Sequence, residues 1–73
     1  MNIKSASELG NQIRSARNNL NLKQADLALT AGTGLRFIID LEKGKPTCQI
    51  GKVLDVINTL GIELTLQIDL KRE

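Results

Sequence analysis

The residues that enzymes use as nucleophiles, bases and metal ligands are thinly spread in this chain. There is one cysteine, Cys48, and no histidine to act as its base, so thiolate catalysis is not expected. A Cys/His zinc site is excluded on the same count, and a single thiol cannot form an internal disulfide. The carboxylates are dispersed, and no glycine-rich phosphate loop is present. We therefore expect no enzyme, no cofactor and no metal. What remains is a polar-contact chemistry between Arg17 and Lys45. Lys23 and Gln24 are adjacent, Arg36 and Asp40 lie one helical turn apart, and Lys43 and Lys45 flank Gly44. Arginine offers a planar fork of donors, glutamine an amide and lysine a point charge. These groups grip phosphates and read the edges of bases.

Charge distribution agrees. The whole chain carries only +2 at a pI near 9.0, which is weak by itself. Met1 to Lys45 hold seven Lys/Arg against four Asp/Glu, a net +3, while the remainder holds three against four. A polyanion-facing part and a separate part with another task are implied. Seventy-three residues make one small domain near marginal stability, so close helical packing or oligomerisation is expected. One thiol without a disulfide framework fits a reducing cytoplasm. No apolar run approaches the roughly 18 residues of a membrane span, and "MNIKSASELG" lacks a signal-peptide core. A soluble, cytoplasmic protein is expected.

The elements that must position these side chains can be read from periodicity. "SASE" pairs Ser5 and Glu8 at capping-box spacing, with Ser7 as a competing cap, and starts a helix from about Ala6 to Leu20, with Leu9, Ile13, Ala16 and Leu20 on one face. Asn18, Asn19 and Asn21 mark its end. A second helix covers Lys23 to Ala31, burying Leu27, Ala28 and Ala31, and stops at Gly32. Thr33 can cap a third helix, "GLRFIIDLEK", before Gly44 and Pro46. Thr47 can cap a fourth through Leu60, with Ile50, Val53, Leu54, Ile57 and Leu60 inward. From Ile62 to Leu70 every second residue is aliphatic, the period of a strand with one buried face. Two helices joined by a very short glycine turn, with small Ala28 at their crossing, form a helix-turn-helix.

The stretch "QADLALTAGTGLRFIIDLEKGKPT" resembles the helix-turn-helix of the Cro and phage-repressor-like (XRE) family, a likeness covering Leu9 to about Leu66. More narrowly, "GLRFIIDLEKGKPTCQIGKVLDVINTLGIEL" is similar to the HipB-type antitoxins. The resemblance implies a mainly α, compact phage-repressor-like domain of four to five helices over residues 1–61. A C-terminal strand at 62–70 pairs across a dimer, and 71–73 form a frayed tail. It implies a dimeric repressor of double-stranded operator DNA that autoregulates its operon and neutralises a HipA-like serine/threonine kinase. It also implies that Gln24 contacts a backbone phosphate, and that Arg17 and Glu42 form a structural pair fixing the angle of the third helix.

Within that frame each side chain has an expected task. Lys23 replaces the Ser or Thr often found before the glutamine, losing a cap (which Asn21 can replace) and gaining a cation. If Ile38 and Leu41 anchor the third helix, Gly34, Leu35, Arg36, Ile39 and Asp40 face outward. Leu35 and Ile39 suit thymine methyls, and Arg36 suits a guanine edge. Asp40 either accepts from a cytosine amino group or restrains Arg36, and we favour restraint. Lys43 and Lys45 suit phosphates. Phe37 is assigned to the core and Lys52 to solvent. An unpaired strand needs a partner, and the same strand of a second copy, through Ile62, Leu64, Leu66 and Ile68, is the simplest one. Two alternatives stay open: a solitary XRE regulator with no toxin partner, and an interaction module that has lost DNA binding.

Overall fold

Ser5 starts the first helix in the computed structural model of the chain, which describes residues 2–68. Its Oγ accepts the Glu8 N–H at 3.1 Å, and its hydroxyl lies 3.4 Å from Glu8 Oε1, so the pair closes through the hydroxyl. Helix α1 spans Ala6–Asn19. Asn21 then turns the chain at φ 57°, the left-handed region that asparagine tolerates better than most residues. It is therefore the turn residue and not the cap of the next helix.

Helix α2 spans Gln24–Ala31. Lys23 stands at its N-cap without a side-chain cap, and Asp26 Oδ2 accepts the Lys23 N–H at 3.0 Å. Gly32 ends α2 at φ 75°, and the Thr33 N–H closes onto the Ala28 carbonyl at 2.9 Å. Helix α3 spans Leu35–Lys43 and α4 spans Ile50–Thr59. Two expected caps shift. Thr33 belongs to the C-terminal closure of α2, which leaves Gly34 as the N-cap of α3. Pro46 and Thr47 lie in a turn, so α4 starts from Gln49 instead of Thr47.

Helix α2 packs on both α3 and α4, and α1 packs on α3. Ile13, Leu27, Ile38, Val56 and Ile57 are fully buried between them, with Ala28, Leu41, Val53 and Leu60 completing the core. Each large aliphatic there contributes roughly 1.5–3 kcal/mol of burial. Gly10 makes the α1–α3 seam possible. A Cβ at that position would collide with the carbonyl oxygens of Leu41 and Glu42, so α1 crosses the last turn of α3 nearly backbone to backbone.

The buried stripe of α4 is rotated from the sequence expectation. Val56 is wholly inside, while Ile50 is 69% exposed and Leu54 is also exposed, because α4 meets α2 on its 53–56–57–60 side. Leu20 is exposed rather than inward, standing in the turn after α1. Lys52 is not simply solvated: its Nζ sits 5.7 Å from the centroid of Phe37, which packs on the core as expected.

After Gly61 the chain continues without helix. Ile62 rests on the core, and its N–H bonds the Ile57 carbonyl at 3.1 Å. Leu64, Leu66 and Ile68 are exposed. A strand exists through its ladder, and no ladder forms among the described residues. Asp69 and Leu70 of the expected strand, and the tail at 71–73, lie outside the described residues. No helix among the described residues is long and apolar enough to cross a membrane.

Candidate nucleic-acid interface

Glu42 is the node from which the interface is built. It is buried near the end of α3, where the helical i, i+3, i+4 spacing from Ile38 puts it with Leu41 on the inward face, under α1. Arg17 Nε donates to its Oε2 at 2.7 Å and Nη2 to its Oε1 at 3.0 Å, a two-pronged pair. Arg17 Nη1 donates at 2.8 Å to the Leu22 carbonyl in the α1–α2 turn. Hydrogen bonding to Glu42 raises the Arg17 pKa above the ordinary arginine value, desolvation opposes this, and the charge of Glu42 adds to it. Arg17 therefore stays cationic, and the pair ties α1, the α1–α2 turn and α3 into one unit.

Gln24 joins the same node. Its Nε2 donates to Glu42 Oε1 at 3.1 Å, so the amide is oriented before any ligand arrives. One N–H of that NH2 group is engaged, and the second remains to donate elsewhere. A cleft of about 490 Å³ opens beside it, lined by Arg14, Lys23, Gln24, Ile39 and Lys43 above the buried pair. The lysines come from the start of α2 and the end of α3, so two separate elements place cations around one concavity. Arg14 adds a third from α1, and sequence reading passed over it. The signal was there: Arg14 lies one helical turn before Arg17, on a neighbouring strip of the same helix.

The first turn of α3 forms the outer part of the surface. Gly34 and Leu35 are exposed, and a Cβ at Gly34 would meet nothing within 4 Å. The Arg36 side chain is 78% exposed, and its Nε lies 3.2 Å from Asp40 Oδ1. Lys45 Nζ lies 3.7 Å from the other oxygen, Oδ2. Ile39 is half-buried and faces the cleft. Lys43 and Lys45 are exposed on either side of Gly44. Seven of the nine expected residues thus fall into two groups, with Gly34 and Leu35 apart from both at the start of α3. Lys23, Gln24, Ile39 and Lys43 meet at the cleft, while Arg36, Asp40 and Lys45 form a separate ion cluster.

A family profile for the helix-turn-helix domain matches residues 10–73. The chain belongs to the helix-turn-helix family. A relative in Sinorhizobium fredii, an HTH-type transcriptional regulator y4mF, is 53% identical over 64 residues, covering 88% of this chain and 84% of that protein. Among solved structures, HipB in an O2 20mer complex superposes with a TM-score of 0.85 at 22% identity, covering 93% of this chain and 94% of that one. HipB in a HipA–HipB–O2–O3 complex does so at 0.85 and 20% identity, covering 93% and 96%. This helix-turn-helix protein is accordingly a transcriptional regulator of the XRE type with the fold of HipB.

Proposed function

We propose that this helix-turn-helix protein is a sequence-specific repressor that binds double-stranded operator DNA as a symmetric homodimer in the cytoplasm. The observation that carries the reading is the pre-oriented Gln24 amide in a cleft rimmed by Arg14, Lys23 and Lys43, next to an exposed first turn of α3. A backbone phosphate enters the cleft and fixes register. With the backbone so held, α3 lies in the major groove. Arg36 reads a guanine edge, and Leu35 and Ile39 meet thymine methyls. Lys45 holds the backbone beyond the helix. The protein works by binding and not as an enzyme.

The dimer follows from the surface left uncovered. Ile50, Leu54, Leu64, Leu66 and Ile68 are all exposed in the single chain, with Leu66 at 89% and Ile68 at 77%. Apolar exposure of that density on a small protein marks an interface. Residues 62–68 pair with the same segment of a second copy, and the two ribbons cover Ile50 and Leu54 of both protomers. Two α3 helices are then held about one DNA turn apart, roughly 34 Å. Likeness to HipB, solved in one complex together with HipA, supports a finer assignment. The chain is the antitoxin of a HipBA-type operon, which it autoregulates, and it neutralises a HipA-like serine/threonine kinase.

The test is retardation of the DNA upstream of its own operon, followed across salt. A repressor gripping phosphates loses affinity steeply as salt rises, through counterion release. No retardation at low salt rules the repressor out and leaves an interaction module. Co-purification from the native operon, with a mass measurement of the assembly, then tests the partner. DNA retention without a kinase in the assembly leaves a solitary regulator.

A further inference from the structure

We propose that Asp40 is a positioning residue that sets the sequence selectivity of this protein by holding Arg36 away from phosphates. The inference rests on the DNA-binding reading and deepens it. A carboxylate on the outward side of α3 is unfavourable beside a polyanion. At Asp40, however, the charge is shared. One oxygen faces Arg36 Nε at 3.2 Å and the other faces Lys45 Nζ at 3.7 Å. The Lys45 N–H also donates to the Asp40 carbonyl at 3.0 Å, so backbone and side chain both bring Lys45 back over this residue. Asp40 itself is 21% exposed, whereas Arg36 is open to solvent. The carboxylate is thus the fixed member of the cluster, and the two cations converge on it.

The consequence for recognition is geometric. The contact uses the Nε side of the Arg36 guanidinium and leaves its two terminal nitrogens for a ligand. A free arginine with five donors satisfies itself on any phosphate within reach. An arginine buttressed along one side presents a narrower edge, the one that fits O6 and N7 of guanine in bidentate fashion. On random DNA Arg36 stays on its buttress and no base contact offsets the residual repulsion between Asp40 and phosphate. At the operator, the base contact of Arg36 is made without disturbing its buttress. Selectivity therefore comes from weakening the wrong complexes at least as much as from strengthening the right one.

The experiment compares Asp40→Asn with the natural protein on the retained upstream fragment and on a random duplex of equal length. The expected result is tighter binding to the random duplex, with a salt slope steeper by about 0.9 for each phosphate newly contacted. The operator-to-random affinity ratio should fall by roughly tenfold, inside the range of roughly 5- to 150-fold that one bidentate base contact is worth. In an Arg36→Ala background the same Asp40→Asn change should leave the ratio unmoved, because Asp40 acts through Arg36. Thermal midpoints should stay within a few degrees, since exposed ion pairs contribute little to folding. A ratio unchanged by Asp40→Asn overturns the proposal. So does a fall that persists without Arg36, which would make Asp40 a direct reader of a base. Failure of the natural protein to retain the fragment at all overturns the repressor reading, and the inference with it.

Discussion

Removing the Glu42 carboxylate should cost this fold a large share of its stability. In Glu42→Ala the Arg17 Nε and Nη2 and the Gln24 Nε2 all lose their acceptor, and Arg17 keeps only the Leu22 carbonyl. Stripping one partner from a buried ion pair costs roughly 3–5 kcal/mol. The Arg17 side chain retains 10% exposure, which lets water recover part of the loss and favours the lower end, about 3 kcal/mol. A chain of this length is stable by about 4–11 kcal/mol in total. The midpoint of thermal unfolding should accordingly drop by about 12–24 °C. Urea titration at fixed protein concentration gives the free energy directly, with an unchanged m-value showing that the same surface unfolds. The double variant Arg17→Met, Glu42→Leu separates stability from function. It removes both charges and fills the space, so most of the stability should return. Gln24 nevertheless loses its tether, and operator affinity should remain several-fold down. A loss under about 1 kcal/mol in Glu42→Ala, or a double variant no more stable than the single one, would refute the reasoning.

Four other outcomes follow from the same geometry. Gly10→Ala should destabilise by about 1–3 kcal/mol in urea titration despite the better helix propensity of alanine, because the new Cβ meets the Leu41 and Glu42 carbonyls. Deleting residues 62–73 should give a monomer with poor operator affinity by light scattering and gel retardation, and a truncated chain that stays dimeric sinks the tail's proposed role. Arg36→Ala should flatten preference among operator variants, whereas Lys43→Ala should weaken all sequences alike and make the salt slope shallower by about 0.9. Alkaline pH should leave the Arg17–Glu42 contribution intact. With the folded-state pKa of Arg17 raised, its stabilisation is complete below the unfolded-state value and lost only as pH climbs past it. The stability gap between the natural protein and Glu42→Ala should therefore hold from about pH 7 to about pH 10.

Much of this architecture was legible in the chain because local signals and tertiary demands agree. Ser5 with Glu8, the helical spacing of Leu9 and Ile13, and Gly32 at the turn each act within a few residues. Where expectation and structure part, a longer-range contact decides. The α4 stripe includes Val56 in place of Ile50 and Leu54 because α2 supplies the facing surface, and periodicity alone leaves the rotation of a mostly apolar helix open. Thr33 and Thr47 both have capping chemistry, yet the closure of α2 and the Pro46 turn occupy those positions first. Gly10 carried no visible signal, since a glycine within a helix reads as a mild defect until its neighbour across the seam is known. Around the cleft, Lys23, Gln24 and Lys43 could be singled out by residue type and place. Arg14 carried a weaker signal, its place one turn before Arg17, and it shares their cleft only after α1 has packed on α3.

Gly34 gives this regulator room to diverge. It caps α3 with ordinary extended backbone, φ −81° and ψ 156°, that any residue can adopt, and empty space surrounds the place where a side chain would stand. Serine or asparagine there would cap α3 slightly better than glycine, by a few tenths of a kcal/mol. The same side chain would project from the leading end of α3, the helix we propose to read DNA. A duplicated copy of this protein could thus acquire a new base contact, and a new set of targets, in one substitution that leaves its core untouched. Lineages carrying this fold would then separate their regulatory circuits at the first residue before α3, while the Glu42 node holds the rest of the surface constant.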